Sequence, residues 1–178
     1  LVEQRRIVDI LEDHLSRLDA AETGLRDADR RAVSLRMAAI GAELGRFQGP
    51  LRTIQQLSDS VRNGIFVSRP KTKPNGVPIL RIGAVRPLVL NLGDLRYSER
   101  DELDLLRDDS LLSPGDLLFT RYNGNPKDVG ACAVVPGDAG PLTYPDKLIR
   151  VRIAARDALP QYVALACTVG LGREQIQS

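Results

Sequence analysis

Between Gly115 and Asn125 the sequence reads GDLLFTRYNGN. A turn feeds a short apolar strand, and the strand delivers Thr120, Arg121, Tyr122 and Asn123 into a glycine-containing loop. Arginine and asparagine hydrogen-bond base edges or phosphates, and tyrosine stacks on bases or bonds phosphate. An ordinary hairpin with polar tips has the same local pattern. A second feature lies upstream. From Ser60 to Gly93 there are six basic residues (Arg62, Arg69, Lys71, Lys73, Arg81 and Arg86) and no acid, whereas Asp94 to Asp109 carries seven acids. On a chain of net charge +2, such a basic block points to local contact with a polyanion rather than to a charged coat. A solvated loop with chance clustering is the alternative.

Other chemistries find little support. His14 is the one histidine, so no Ser/His/Asp arrangement is available. The acids of residues 94–109 follow helical spacing without an obvious partner, which suits a solvated face better than paired catalytic carboxylates. Cys132 and Cys167 stand far apart in apolar surroundings and lack zinc-ligand spacing. They read as buried thiols of a reducing, cytoplasmic compartment. Gly170-Leu171-Gly172 begins a dinucleotide-type GxG, but the third glycine is missing and a helical pattern precedes it. The residues therefore favour a binding module over an enzyme, with no metal or cofactor. No signal peptide or membrane-length apolar run is visible. With leucine at position 1, the sequence reads as the middle of a longer protein.

The elements that position these residues fall into two kinds. Leu11, Leu18, Leu25, Ala32 and Ala39 repeat every seven residues, and Ile7, His14, Ala21, Ala28, Leu35 and Ala42 form the complementary series. This seam predicts one coiled-coil helix from about Glu3 to Arg46, buried against a partner helix. His14 reads as a tolerated polar residue that sets register. Gly45, Gly49 and Pro50 end the helix. The expected division is a spacer helix over 1–48 and a second domain over 49–178. In the second part the expected strands are Ile65–Val67, Ile79–Ile82, Leu88–Leu92, Leu117–Arg121, Gly130–Val135 and Leu148–Ile153. Leu51–Asp59 reads as a short strand or turn, Glu99–Leu106 as a short acidic helix, and Ala158–Val169 as the start of a C-terminal helix. The fold class is α+β: a long N-terminal coiled-coil helix, then one mixed domain of short strands and small helices.

Several motifs in order carry a resemblance. Leu1-Val2-Glu3-Gln4-Arg5-Arg6-Ile7 resembles the PL-x-EQ-xx-I entry to the conserved helices of type I restriction-modification specificity subunits. Pro78-Ile79-Leu80-Arg81-Ile82-Gly83 is similar to that family's y-l-R-i-g-d-i, and GDLLFTRYNGN to its GD-hh-h-(S/T)-R-x-G. Val129-Gly130 and Asp146-Lys147-Leu148 follow in the family's order. The resemblance implies a subunit with two target recognition domains, each reading half of a split DNA site, held apart by antiparallel helices. It also implies methylation subunits docked on the helices and a restriction subunit further out. This sequence shows one recognition domain and one arm, and so resembles a half subunit or a central fragment.

The resulting expectation is a non-catalytic, sequence-specific binder of double-stranded DNA. Arg69, Lys71 and Lys73 would contact phosphates. Arg121, Tyr122 and Asn123 would face the groove, with Asn125 and Lys127 beside them. Arg62, Asn63, Arg81 and Arg86 are further candidates. Ile7, Leu11, His14, Leu18, Ala21, Leu25, Ala28, Ala32, Leu35 and Ala39 would bury against a second copy or a partner protein. Two alternatives stand: the recognition part of a fused DNA methyltransferase, and a coiled-coil scaffold whose β domain binds protein.

Overall fold

The computed structural model describes residues 1–47, 49–67, 70–72, 76–154 and 156–177. Contacts divide the chain into two compact units, Leu1–Glu43 and Leu44–Ser178. The first unit is almost all one helix, α1 (Val2–Gly45). At 1.5 Å per residue it is about 66 Å long. Ion pairs at helical spacing, Arg17 with Asp13, Arg26 with Glu22 and Arg30 with Asp27, line its polar side. Its seam residues Ile7, Leu11, Leu18, Leu25 and Leu35 are each at least half exposed. Val8, Ile10 and Leu15, also exposed, widen the apolar stripe.

The second unit is mixed α+β. Thr53 and Gln56 form a reciprocal capping box, and this starts the single turn α2 (Ile54–Leu57) where a strand or turn was expected. β1 (Ser58–Asn63) follows directly. Next come the short strands β2 (Pro78–Ile79), β3 (Val85–Arg86), β4 (Val89–Leu90) and β5 (Arg96–Tyr97). They are followed by α3 (Glu102–Arg107), β6 (Leu117–Thr120), β7 (Cys132–Val134) and β8 (Leu148–Ile153). The chain then runs into α4 (Pro160–Thr168) and α5 (Leu171–Gln177). The main sheet is antiparallel in the order β1-β8-β6-β7, and β2–β5 and β3–β4 form two small ribbons.

Alternation along the strands sorts side chains onto the two faces of this sheet. Leu118, Ala133 and Leu148 face a core shared with Leu80, Val85, Leu112, Leu142 and Tyr144. Leu117, Phe119, Cys132, Val151 and Ile153 face the other core, packed against Val163, Ala164 and Cys167 of α4. Gly170 lies at the turn into α5 and Gly172 within its first turn, in a helix that the sequence pattern did not reveal.

The differences from the expected strands have local causes. Ile65 makes one bridge, to Pro145, in place of a strand over 65–67. The expected strand at Ile79–Ile82 stops after Ile79, because residues 82–84 wind into a 3-10 turn.

One polar cluster crosses the first core face. Arg150, fully buried, donates to both carboxylate oxygens of Asp109 (3.1 and 2.6 Å), to the carbonyls of Asp109 (2.9 Å) and Leu111 (3.2 Å), and to Ser60 Oγ (3.3 Å). Arg152 grips Asp116 through two bonds of 2.8 Å and reaches Asp109 at 3.3 Å. Asp109 sits at φ +51°, a left-handed conformation in which aspartate is better tolerated than most residues. The Arg150 hydrogen bonds hold the Asp109 carboxyl below the usual carboxylate range, against its partial burial, with help from Arg152 and Arg62.

Candidate nucleic-acid interface

The antiparallel register brings the end of β6 and the start of β8 to one end of the sheet, with Thr120 opposite Leu148. β1 also ends here, with Asn63 opposite Ile149. Just past these strands the Arg121 amide donates to the Lys147 carbonyl (2.9 Å), and the Gly64 amide to that of Leu148 (3.1 Å). Gly64 cannot carry a side chain here, since a Cβ would lie 2.2 Å from the Pro145 carbonyl oxygen.

The β6–β7 loop at this end is tightly built. Buried Thr120 donates its hydroxyl to the Asp128 carbonyl and accepts from the Ala131 amide (3.0 Å). The Asn123 side chain accepts from the Asn125 amide (3.0 Å), and that of Asn125 from the Lys127 amide (3.1 Å), which caps a 3-10 turn at Pro126–Asp128. Both asparagine carbonyls are thus committed to loop shape. The Arg121 guanidinium lies over the exposed Tyr122 ring, 4.9 Å from its centroid. Arg121 and Tyr122 thus present an exposed cationic and aromatic pair on this loop.

Charge pairing separates the sequence candidates. Arg62 Nε lies 3.1 Å from Asp109, Lys71 Nζ lies 2.8 Å from Glu99, and Arg81 pairs with Asp94, which also holds Arg96. The Lys71 ammonium, by hydrogen bond and by charge, holds Glu99 below its ordinary range. Of the acids of residues 94–109, expected as a solvated face without partners, Asp94, Glu99 and Asp109 are counterions to the basic block, while Asp104 and Asp108 pair with Arg107 and Arg100 of their own stretch. Arg86 leans 3.8 Å from Asp128 at the loop. Arg69 and Lys73 lie outside the described residues. Among the described residues, Arg121, Lys127 and Lys147 pair with no carboxylate. The arrangement brings Asn63, Arg86, Arg121, Tyr122, Asn123, Asn125 and Lys127 to one end of the sheet, with Arg86 near Asp128, and engages Arg62, Lys71 and Arg81 in ion pairs.

Two residues at this end were not among the sequence candidates. Lys147, inside the Asp146-Lys147-Leu148 motif, reaches it through the register of β8. Arg173 of α5 donates to the carbonyls of Val129 (2.8 Å) and Lys127 (2.6 Å). No spacing in the sequence signals that contact.

The remaining chemistry is sparse. Burial in the second core raises the Cys132 thiol well above its normal range and Cys167 to about 11, so neither is a nucleophile near neutrality. Among the described residues no His, Cys, Asp and Glu group could hold a metal ion, and no helix is long and apolar enough to cross a membrane.

Over 93% of its length this chain is 33% identical to the type I restriction enzyme EcoKI specificity subunit of Escherichia coli (strain K12). The chain is similar, along nearly all of its own length, to a specificity subunit of a type I restriction enzyme. It spans 38% of the length of the EcoKI specificity subunit. No model of a protein family matches it. A structure solved for complex assembly and conformational transition of the type I R-M system superposes with a TM-score of 0.53. That likeness, at 18% identity over 92% of this chain and 40% of the other, is one of fold. The crystal structure of the HsdS subunit from Thermoanaerobacter tengcongensis aligns over all of this chain and 45% of its own, at 17% identity and a TM-score of 0.49.

Proposed function

We propose that this chain is a DNA-reading part of a type I specificity subunit. The domain after α1 reads one half of a split double-stranded target through the loop end of its sheet. It is non-catalytic and works in the cytoplasm beside methylation and restriction subunits that supply the chemistry. The seam of α1 takes a partner helix, either a second copy of the chain or another protein, and the arm serves as spacer and docking surface.

The observation that carries this reading is that Arg121, Lys127 and Lys147, none paired with a carboxylate among the described residues, lie at one end of the sheet, where Arg121 stacks on exposed Tyr122. An arginine already matched to a carboxylate exchanges one ion pair for another on meeting phosphate. An unpaired cation displaces DNA counterions with no such loss. Electrostatic attraction to DNA therefore concentrates at the loop end rather than at the ion-paired Arg62, Lys71 and Arg81.

The test is the salt dependence of duplex binding by the whole chain. Changing Arg121, Lys127 and Lys147 together to alanine should reduce the slope of log affinity against log salt by up to about three. An unchanged slope refutes the assignment of this end.

A further inference from the structure

We infer that Arg173 is a positioning residue for DNA specificity: it clamps the β6–β7 loop from behind without touching DNA itself. The inference rests on the reading of that loop as the DNA-facing element.

The loop has two limbs with different restraints. The outgoing limb is held by the Arg121 amide on the Lys147 carbonyl and by the turns of Asn123 and Asn125. The return limb, Lys127 to Gly130, lies between β6 and α5. On the β6 side, Thr120 bonds the Asp128 carbonyl, and its own carbonyl accepts from the Gly130 amide (2.8 Å). On the α5 side, the two terminal nitrogens of Arg173 bond the carbonyls of Val129 and Lys127. Ile176, one turn along, fills the space over Gly130. A Cβ on that glycine would stand 2.1 Å from Ile176 Cγ2, and its φ of +72° suits glycine.

The planar fork of arginine explains the residue type. One guanidinium spans two carbonyls two residues apart, which a single ammonium spans poorly. These bonds commit the two terminal nitrogens to backbone, so the charge fixes loop shape. Base readout by Arg121 requires placement within about half an ångström. Loosening the return limb therefore blurs sequence preference before it lowers general affinity.

The test uses the 178-residue chain with Arg173→Met, Arg173→Lys and, as a charge control, the exposed Arg156→Met. Hydrogen exchange is read at the amides of Lys127, Val129 and Gly130. Sequence preference is read by selection from a random duplex library, and salt slope on a random duplex. Hydrogen bonds to charged groups are worth enough that losing one raises local opening about tenfold. Arg173→Met should speed exchange at those amides by about that factor while β8 is unchanged. It should flatten the selected preference and leave the salt slope as it was. Arg173→Lys should restore part of both effects, and Arg156→Met should produce neither. Unchanged loop exchange overturns the clamp. Faster exchange with an unchanged preference overturns its role in specificity. A slope lowered by about 0.9 with the preference kept makes Arg173 a phosphate contact and likewise overturns the proposal. Should the unmodified chain select no sequence, the DNA reading itself fails, while the exchange result still decides the clamp.

Discussion

Replacing Arg150 by methionine should destabilise the second unit by about 3 kcal/mol. Removing one partner of a buried pair generally costs about 3–5 kcal/mol. Two features of this site set the figure at the low end. Asp109 keeps Arg62 at 3.1 Å and Arg152 at 3.3 Å, so its carboxylate is not orphaned. Arg150 Nε is buried without a hydrogen-bond partner, and methionine removes that cost. Against this, the Asp109 and Leu111 carbonyls each lose a donor. Domains are stable by only about 5–15 kcal/mol, so the loss is a large share.

Urea unfolding measures it. Tyr97, Tyr122, Tyr144 and Tyr162 all lie in residues 49–178 and the chain has no tryptophan, so tyrosine emission reports this unit and not the arm. With a slope near 2 kcal/mol/M, the midpoint should fall by about 1.5 M. Adding Asp109→Asn, which suits the left-handed backbone, should cost less than it does alone, with a coupling of about 1 kcal/mol or more.

The same pair has an acid signature. The folded-state Asp109 carboxyl is depressed, chiefly by the Arg150 hydrogen bond. Its contribution is therefore fully present above the unfolded value of about 3.9 and is lost as pH falls below it, toward the lower folded value. The gap between unmodified and Arg150→Met proteins should narrow below about pH 4. A loss under about 1 kcal/mol, or strictly additive variants, would show that the pair does not anchor the sheet.

Further outcomes follow from the arm and the thiols. Cys132 and Cys167 should resist alkylation at pH 7.5 in the folded chain and react together once urea unfolds it, as read by mass spectrometry; rapid labelling of native protein would contradict their burial. The exposed seam of α1 should drive association, with Leu11→Asp plus Leu18→Asp reducing it at least tenfold by light scattering. A stable, helical monomer at micromolar concentrations in the unmodified chain would remove the second copy as the seam's partner.

The sequence is most legible where a signal is local and repeated. The arm expected over Glu3–Arg46 is the helix Val2–Gly45, and the strand expected over Leu148–Ile153 has those bounds, because heptads and alternation are written in consecutive residues. Gly130–Val135 shrinks to Cys132–Val134, since the β6–β7 loop uses Gly130 as its hinge. Charge pairing is less legible. Arg62 meets Asp109 across 47 positions, and Lys71 meets Glu99 across 28. No spacing rule links such partners, so a basic run and an acidic run read as two surfaces although Arg62, Lys71 and Arg81 tie one to the other. Lys147 becomes visible only when antiparallel pairing sets the start of β8 beside the end of β6. Arg173 requires the fold of α5 onto the loop, which no periodicity encodes.

In the function proposed above, the loop end of the sheet reads DNA sequence. The most direct measurement is selection of duplexes from a random library by the whole chain, repeated with Arg121→Ala. One short motif should be enriched. Arg121→Ala should erase preference at one or two positions of that motif, worth about 1–3 kcal/mol for a lost bidentate base contact. A motif selected identically by both proteins, or no enrichment at all, would rule out sequence reading by this end of the sheet.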